Sequence, residues 1–290
     1  MVRIEHGFAF KGEFFADSGR QIVLTPGNFY EEGGFRSRPG KDRYYSGEFP
    51  ERYVLERHAL IVAMTEQGEG LLGSAALVPD AKTYLHNQRI GRVKERRELA
   101  DRRFLYYLFN TDHVRQQIRN SSSGTKVRHT SPERMYSAEV KVPDLELQRK
   151  IAAILSAYDD LIANNQRRIA LLESMAEEIY REWFVRMRFP GHESAHVVGF
   201  AHGSWSRSAV GDLCQVIKRG ITPKYADDAD RLVINQKCIR DGRVSLGDAR
   251  AHDTVVPDEK LLRYGDVLIN STGVGTLGRV AVFDLAVLGA

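Results

Sequence analysis

The string Gly273-Val274-Gly275-Thr276-Leu277-Gly278-Arg279-Val280 fits G-x-G-x-x-G-x-V, the glycine-rich loop that protein kinases fold over ATP phosphates. Glycines let backbone N–H groups approach a phosphate, so the chemistry is credible in isolation. Its surroundings argue against it. No lysine follows Val280, no catalytic loop is present, and Arg279–Phe283 reads as a strand where a dinucleotide fold needs a helix. The string therefore reads as a strand–turn–strand loop. Ser121-Ser122-Ser123 has no nucleophile elbow around it, and no H-E-x-x-H or Cys/His cluster occurs. The adjacent acids Asp159-Asp160 and Glu177-Glu178 read as solvated helix positions. The sequence offers no catalytic constellation.

Contacts to a polyanion are better represented. RSRPGKDRYY places Arg36, Arg38, Lys41 and Arg43 beside Tyr44 and Tyr45 in a proline–glycine loop. SSSGTKVRH adds hydroxyls to Lys126 and Arg128, and NQRIGRVKERR brings Arg89, Arg92, Lys94, Arg96 and Arg97 together. Guanidinium and ammonium groups hold phosphates or read guanine edges, and aromatic rings stack or wedge. Any one of these stretches alone reads as an ordinary solvated turn; three in one small domain weaken that reading in favour of a polyanion partner. Residues 1–143 carry a net charge of +5, against +4 for the whole 290-residue chain. The positive surplus thus sits where the basic stretches are.

These residues must be positioned by a core, and 42% apolar with 28% charged residues is enough to build one. The longest apolar run, Ala59 to Met64, is far too short to cross a membrane. Two cysteines exclude a disulfide framework and predict a reduced, cytoplasmic protein. Residues 1–143 mix short strands (Gln21–Leu24, Leu60–Ala63, Ser74–Val78) with a helix expected around Arg103–Arg119.

Residues 144–186 hold no proline or glycine and predict one long helix, with Asp144 as N-cap and Pro190-Gly191 beyond its end. Heptad numbering gives one column of Ile151, Tyr158, Asn165, Leu172 and Ile179, and a second of Ile154, Leu161, Arg168, Met175 and Glu182. Leu155, Ile162, Ile169, Ala176 and Trp183 form a third. Such a stripe needs a partner along its length, a second copy of the helix or a helix of another subunit. A break near Asn164-Asn165 into two helices is the other reading, since asparagine propagates a helix poorly. Residues 187–204 read as a linker.

The final segment, 205–290, repeats the first. VRIEHG (2–7) is echoed by CQVIKRG (214–220), and RQIVLTPGNFYEEGG (20–34) by DRLVINQKCIRDGRV (230–244). HALIVAMTEQGEGLLGSAALV (58–78) is echoed by GDVLINSTGVGTLGRVAVF (265–283), in the same order. An α+β chain follows: two modules of one kind, the second incomplete, joined by a coiled-coil-type helix.

With these blocks in place, ELQRKIAAILSAYDDLIANNQRRIALLESMAEEIYREWFVRMRFPGHE (146–193) resembles the central spacer of DNA-specificity (S) subunits of Type I restriction–modification systems. GITPKY (220–225), LVINQKCIRDG (232–242) and the glycine hairpin resemble the opening half of a target recognition domain. GFAFKGEFF (7–15) with LHNQRIGRVK (85–94) resembles the same kind of domain upstream. The resemblance implies that each recognition domain reads half of a split duplex target while antiparallel spacer helices act as a ruler. It implies a non-catalytic subunit with no cofactor of its own. S-adenosylmethionine would sit on modification subunits and ATP on restriction subunits, with the adenine flipped by the former. Lys11, Lys218, Arg219 and Lys237 join the expected DNA-facing set on this ground. Measured against the first module, the second lacks a stretch after its hairpin, and a second spacer helix is missing. The expectation is a truncated subunit, a fragment of a longer one or a self-associating half-subunit, whose helix finds a substitute partner; the alternative is an interaction protein that binds modification subunits or self-associates without reading DNA.

Overall fold

The computed structural model describes residues 2–66, 70–79, 83–124, 127–194, 197–198, 201–202, 207–226, 228–253 and 255–284. It divides into two compact units, Met1–Phe189 and Pro190–Ala290.

The first unit opens with β1 (Val2–His6), β2 (Phe15–Ala16), β3 (Gln21–Val23), β4 (Tyr44–Tyr45) and β5 (Val54–Leu55). It continues through β6 (Leu60–Ala63), β7 (Thr65–Glu66), β8 (Ala75–Leu77), β9 (Thr83–Leu85) and β10 (Ile90–Glu95). Helices α1 (Arg102–Phe109) and α2 (Asp112–Asn120), strand β11 (Arg128–His129), α3 (Pro132–Tyr136) and α4 (Leu145–Tyr180) complete it. A four-stranded antiparallel sheet runs β1-β10-β6-β8, and a second sheet runs β2-β4-β3-β9-β5 with β3 and β9 parallel.

Strand β6 explains the layering. Leu60 and Val62 point to one side, into a core with Leu105, Phe109, Val114 and Ile118 of α1 and α2. Ile61 and Ala63 point to the other, among Ile22 and Tyr84 of the second sheet and Leu24 and Phe29 just after β3. A strand covered on both faces has to be apolar at every position, which is why Ala59–Met64 reads as an unbroken run.

Two expectations are corrected here. The helix expected over Arg103–Arg119 is two helices, because Asn110 leaves helical bonding to clasp β8. Its Oδ1 accepts from Ala75 N (2.9 Å) and its Nδ2 donates to Ala75 O (3.1 Å), and Thr111 then caps α2. NQRIGRVKERR is not a loop of free cations but largely β10. Within it Arg92 pairs with Glu56 (3.0 Å) and Lys94 with Glu5 (3.1 Å). The long helix is a single α-helix through Asn164-Asn165, capped by Asp144, which accepts from Leu147 N (2.9 Å), and widening into a π-turn at Arg181–Val185. Among the described residues no helix is long and apolar enough to cross a membrane, and no group of three or more His, Cys, Asp or Glu could hold a metal.

The second unit carries antiparallel two-stranded ladders, and one of them reproduces the β6–β8 hairpin bond for bond. Gly265 N donates to Phe283 O, Phe283 N to Asp266 O, Asn270 N to Arg279 O and Gly278 N to Asn270 O. The counterparts are His58 N to Val78 O, Val78 N to Ala59 O, Ala63 N to Ser74 O and Gly73 N to Ala63 O. The glycine string is the turn of that hairpin, with Gly273, Gly275 and Gly278 at positive φ. The 3-10 turn Pro26–Asn28 likewise has its echo at Gln236–Cys238.

The two hairpins differ in what flanks them. β6 has β10 on its outer edge, whereas Val267–Ile269 pairs among the described residues only with Val280–Val282, leaving Val267 60% and Ile269 63% exposed. Amides on that open edge should exchange hydrogen orders of magnitude faster than those of β6, whose exchange needs opening of the whole sheet. Equal protection of the two strands in a hydrogen-exchange experiment would refute this.

Candidate nucleic-acid interface

Helix α2 gathers three loops at one end of the first unit. The Arg115 guanidinium donates to the carbonyls of Glu31 and Gly70, tying the 30–36 turn to the β7–β8 turn. One helical turn on, Arg119 pairs with Glu66 Oε1 (3.5 Å). Glu66 is only 3% exposed, and its Oε2 accepts from Leu71 N (3.0 Å) and Leu72 N (2.8 Å). A carboxylate that takes two backbone N–H groups and a guanidinium is well compensated for burial. β7 in turn pairs with β11, and Ser123 and His129 exchange backbone bonds of 3.0 and 2.8 Å, closing the serine-rich loop beside it.

The basic run emerges from this brace. Asn28 is buried, accepts from Thr25 N (2.9 Å) and donates from Nδ2 to Arg36 O (3.3 Å), fixing where the run starts. Arg36 lies over the Tyr30 ring at 5.8 Å, and Arg43 over Phe15 at 5.1 Å. Arg38 reaches across Gly27, where a Cβ would come within 2.3 Å of its guanidinium. Arg36, Lys41 and Arg43 are exposed and Arg38 half-buried. A guanidinium stacked in this way is held against the ring face.

Not every expected contact residue faces out. Tyr45 is corrected: it is 4% exposed and lies at the centre of a ring cluster with Phe10 (4.8 Å), Phe15 (5.5 Å) and Phe14 (6.0 Å). It anchors the loop instead of reaching a ligand, whereas Tyr44 is half-buried. Lys126 lies outside the described residues; Arg128 is half-buried in β11. Lys11 and Arg89 are exposed.

The motifs around Lys11 and Arg89 meet directly. Phe8 N donates to His86 O (2.8 Å) and Gln88 N to Phe8 O (3.1 Å), and a Cβ on Gly7 would sit 2.2 Å from the Asn87 backbone. Only glycine fits there. In the second unit Lys218 is engaged with Glu259 (2.6 Å), and Arg219 and Lys237 are exposed.

Along α4 the expected interface residues are open. Ile154, Leu155, Tyr158, Leu161, Ile162, Asn165, Ile169, Leu172, Met175, Ile179 and Trp183 are exposed, and Ile151 is half-buried near the helix start. Glu66, the carboxylate of the brace, is not distinguished by residue type or spacing. Arg115 and Arg119 stand four apart on one helix face, the one local signal that could have found them.

Residues 1–174 match the family described as Type I restriction modification DNA specificity domain. The specificity subunit of the Type I restriction enzyme MjaIX from Methanocaldococcus jannaschii is 34% identical over 82 residues, 28% of this chain and 19% of that protein. The EcoBI specificity subunit of Escherichia coli is 22% identical over an alignment of 304 positions, covering 97% of this chain and 60% of that one. Among solved structures, the S subunit from M. genitalium aligns with a TM-score of 0.44 at 15% identity, covering 63% of this chain and 43% of that one. The HsdS subunit from Thermoanaerobacter tengcongensis aligns with 0.37 at 20%, covering 97% and 71%. The chain spans 60% or less of the length of these curated relatives. With the family match extending over the first module and most of the long helix, the chain belongs to the Type I restriction–modification DNA specificity family.

Proposed function

We propose that this chain is a sequence-reading, non-catalytic component of a Type I restriction–modification complex. Its first module binds duplex DNA through the Arg36–Arg43 run and the loops braced by α2. Its long helix seats against another helix, from a second copy or a modification subunit. Methylation with S-adenosylmethionine and ATP-driven cleavage belong to the subunits it directs.

The observation that carries the DNA assignment is the brace. Two half-buried arginines and a buried glutamate are used to hold loops, while neighbouring arginines and a lysine are left exposed. A surface built only for solubility needs no such support. Phosphate neutralisation makes log K fall with log salt at a slope of about 0.9 per contact. Replacing Arg36, Arg38, Lys41 and Arg43 together with Gln should therefore weaken binding and flatten that slope by roughly 3. Salt titrations of duplex binding by fluorescence anisotropy measure it. A slope equal to wild type places the DNA surface elsewhere.

A further inference from the structure

A reading module is useful in a split-target device only if the arm that carries it points in a fixed direction. The first unit contains a joint that does this. Gln148, in the first turn of α4, is 1% exposed with its amide fully engaged. Its Oε1 accepts from Asp101 N (3.1 Å), and its Nε2 donates to Leu99 O (3.2 Å) and Pro143 O (2.8 Å). Asp101 itself caps α1, accepting from Phe104 N (3.0 Å). One side chain thus ties together the starts of both helices.

One turn further Ala152 is buried, and its small side chain lets α1 lie close. Asp159 then supplies a second fastening, its Oδ2 accepting from the Tyr107 hydroxyl (2.7 Å). Burial and that carboxylate both hold the Tyr107 phenol above its ordinary pKa, so the phenol keeps the proton it donates. Gln148 and Asp159 are separated by three turns, about 16 Å along the axis. Two fastenings at that separation set a direction, where one would leave a pivot. At its far end α1 is locked to β8 by Asn110, so the path from sheet to arm is continuous.

Beyond Asp159 every residue to Tyr180 is exposed, a free arm of about 30 Å. A swing of about 10° at the joint would displace its tip by about 5 Å, more than the 3.4 Å rise of one base pair. We propose that Gln148 and the Tyr107–Asp159 bond are positioning residues that fix the direction in which α4 leaves the module, and thereby the separation of half-sites the assembled complex accepts. The joint stands on geometry alone; its consequence for DNA rests on the function proposed above.

The test uses spin labels at Ser18 and Ser174 in the full chain, with Cys214 and Cys238 replaced by Ser and the labelled chain diluted into excess unlabelled chain so that only distances within one copy are read. Wild type should give a narrow distance distribution, and Y107F/Q148A one at least twofold broader at unchanged helix content. Y107F alone, which removes a single hydroxyl, keeps the test if Q148A fails to fold, and it should also broaden the distribution. An unchanged width overturns the joint. In the assembled complex, duplexes differing only in half-site separation should be discriminated at least tenfold by wild type and less than threefold by the variant. Affinity for a single half-site should stay equal. A broadened distribution with intact discrimination overturns the link to spacing. If wild type binds no duplex, the DNA-reading function falls, and the distance widths still decide the joint.

Discussion

Lowering the pH from 7 to 5 should cost the wild-type first unit about 2 kcal/mol more unfolding free energy than it costs a His86→Gln variant. His86 closes the turn into β10 and is buried, with its Nε2–H donating to Ile90 O (2.8 Å). Burial is the largest cause that drives its pKa down from 6.5 to about 4; the Ile90 bond opposes this and the Arg92 charge adds to it. The unfolded chain takes up a proton near 6.5 while the folded one resists until about 4. Stability from the neutral ring is therefore complete above 6.5 and is lost as the pH falls towards 4, where the loss levels off at about 3 kcal/mol. Glutamine can still donate to Ile90 O but takes no proton, so the difference between the two proteins isolates this residue from the carboxylates. Native-state hydrogen exchange of the β6 and β10 amides, corrected for the intrinsic effect of pH, measures it. Parallel pH dependences for the two proteins would show that the ring is protonated within the fold.

Because the same turn presents Arg89, this pH response also bears on the proposed DNA surface. His86 O and Asn87 are the backbone groups that Phe8 and Gly7 press against. Loosening the turn would disturb the contact between the GFAFK and HNQR motifs before it unfolded the sheet.

What could be read from the residues alone divides by the range of the interactions involved. β6 was legible because burial on both faces writes an unbroken apolar run into the sequence. The long helix was legible because 43 residues without proline or glycine leave little else, and Asp144 is a local cap. The internal repeat was legible as matching strings, and its hairpin proved to match in individual backbone bonds. The break between α1 and α2 was not legible, since Asn110 leaves the helix for a partner 35 positions away. The same holds for the basic strand: Arg92 and Lys94 look like free cations until Glu56 and Glu5 are brought beside them. Tyr45 misled in the opposite sense, because aromatics beside arginines suit a stacking surface and a core equally well. Glu66 and Gln148 draw their roles from tertiary hydrogen bonds, on which local spacing is silent.

Replacing Ile154 and Leu161 by Asp should abolish association through the long helix while the first unit remains folded. Wild type leaves Ile154 61% and Leu161 53% exposed, with Ile162 and Leu172 in the same state. Each such side chain, still about half in water, forgoes on the order of 1 kcal/mol that full burial would supply. Summed over the stripe this exceeds what the free helix should leave unused. The column Ile151, Tyr158, Asn165, Leu172, Ile179 is symmetric about Asn165. In an antiparallel pair crossing there, Ile151 would face Ile179 of the other copy and Tyr158 would face Leu172. The two Asn165 amides would meet on the two-fold axis, where a polar pair fixes register. An aspartate at 154 or 161 would carry a charge into that seam, at a cost exceeding the apolar contact it replaces. Sedimentation velocity should show wild type as a dimer at micromolar concentration and the variant as a monomer, with β6 amide protection equal in both. A wild-type monomer at high micromolar concentration would remove the second copy as the partner. A modification subunit whose recruitment is lost in the same variant would then be the helix that the stripe is built to meet.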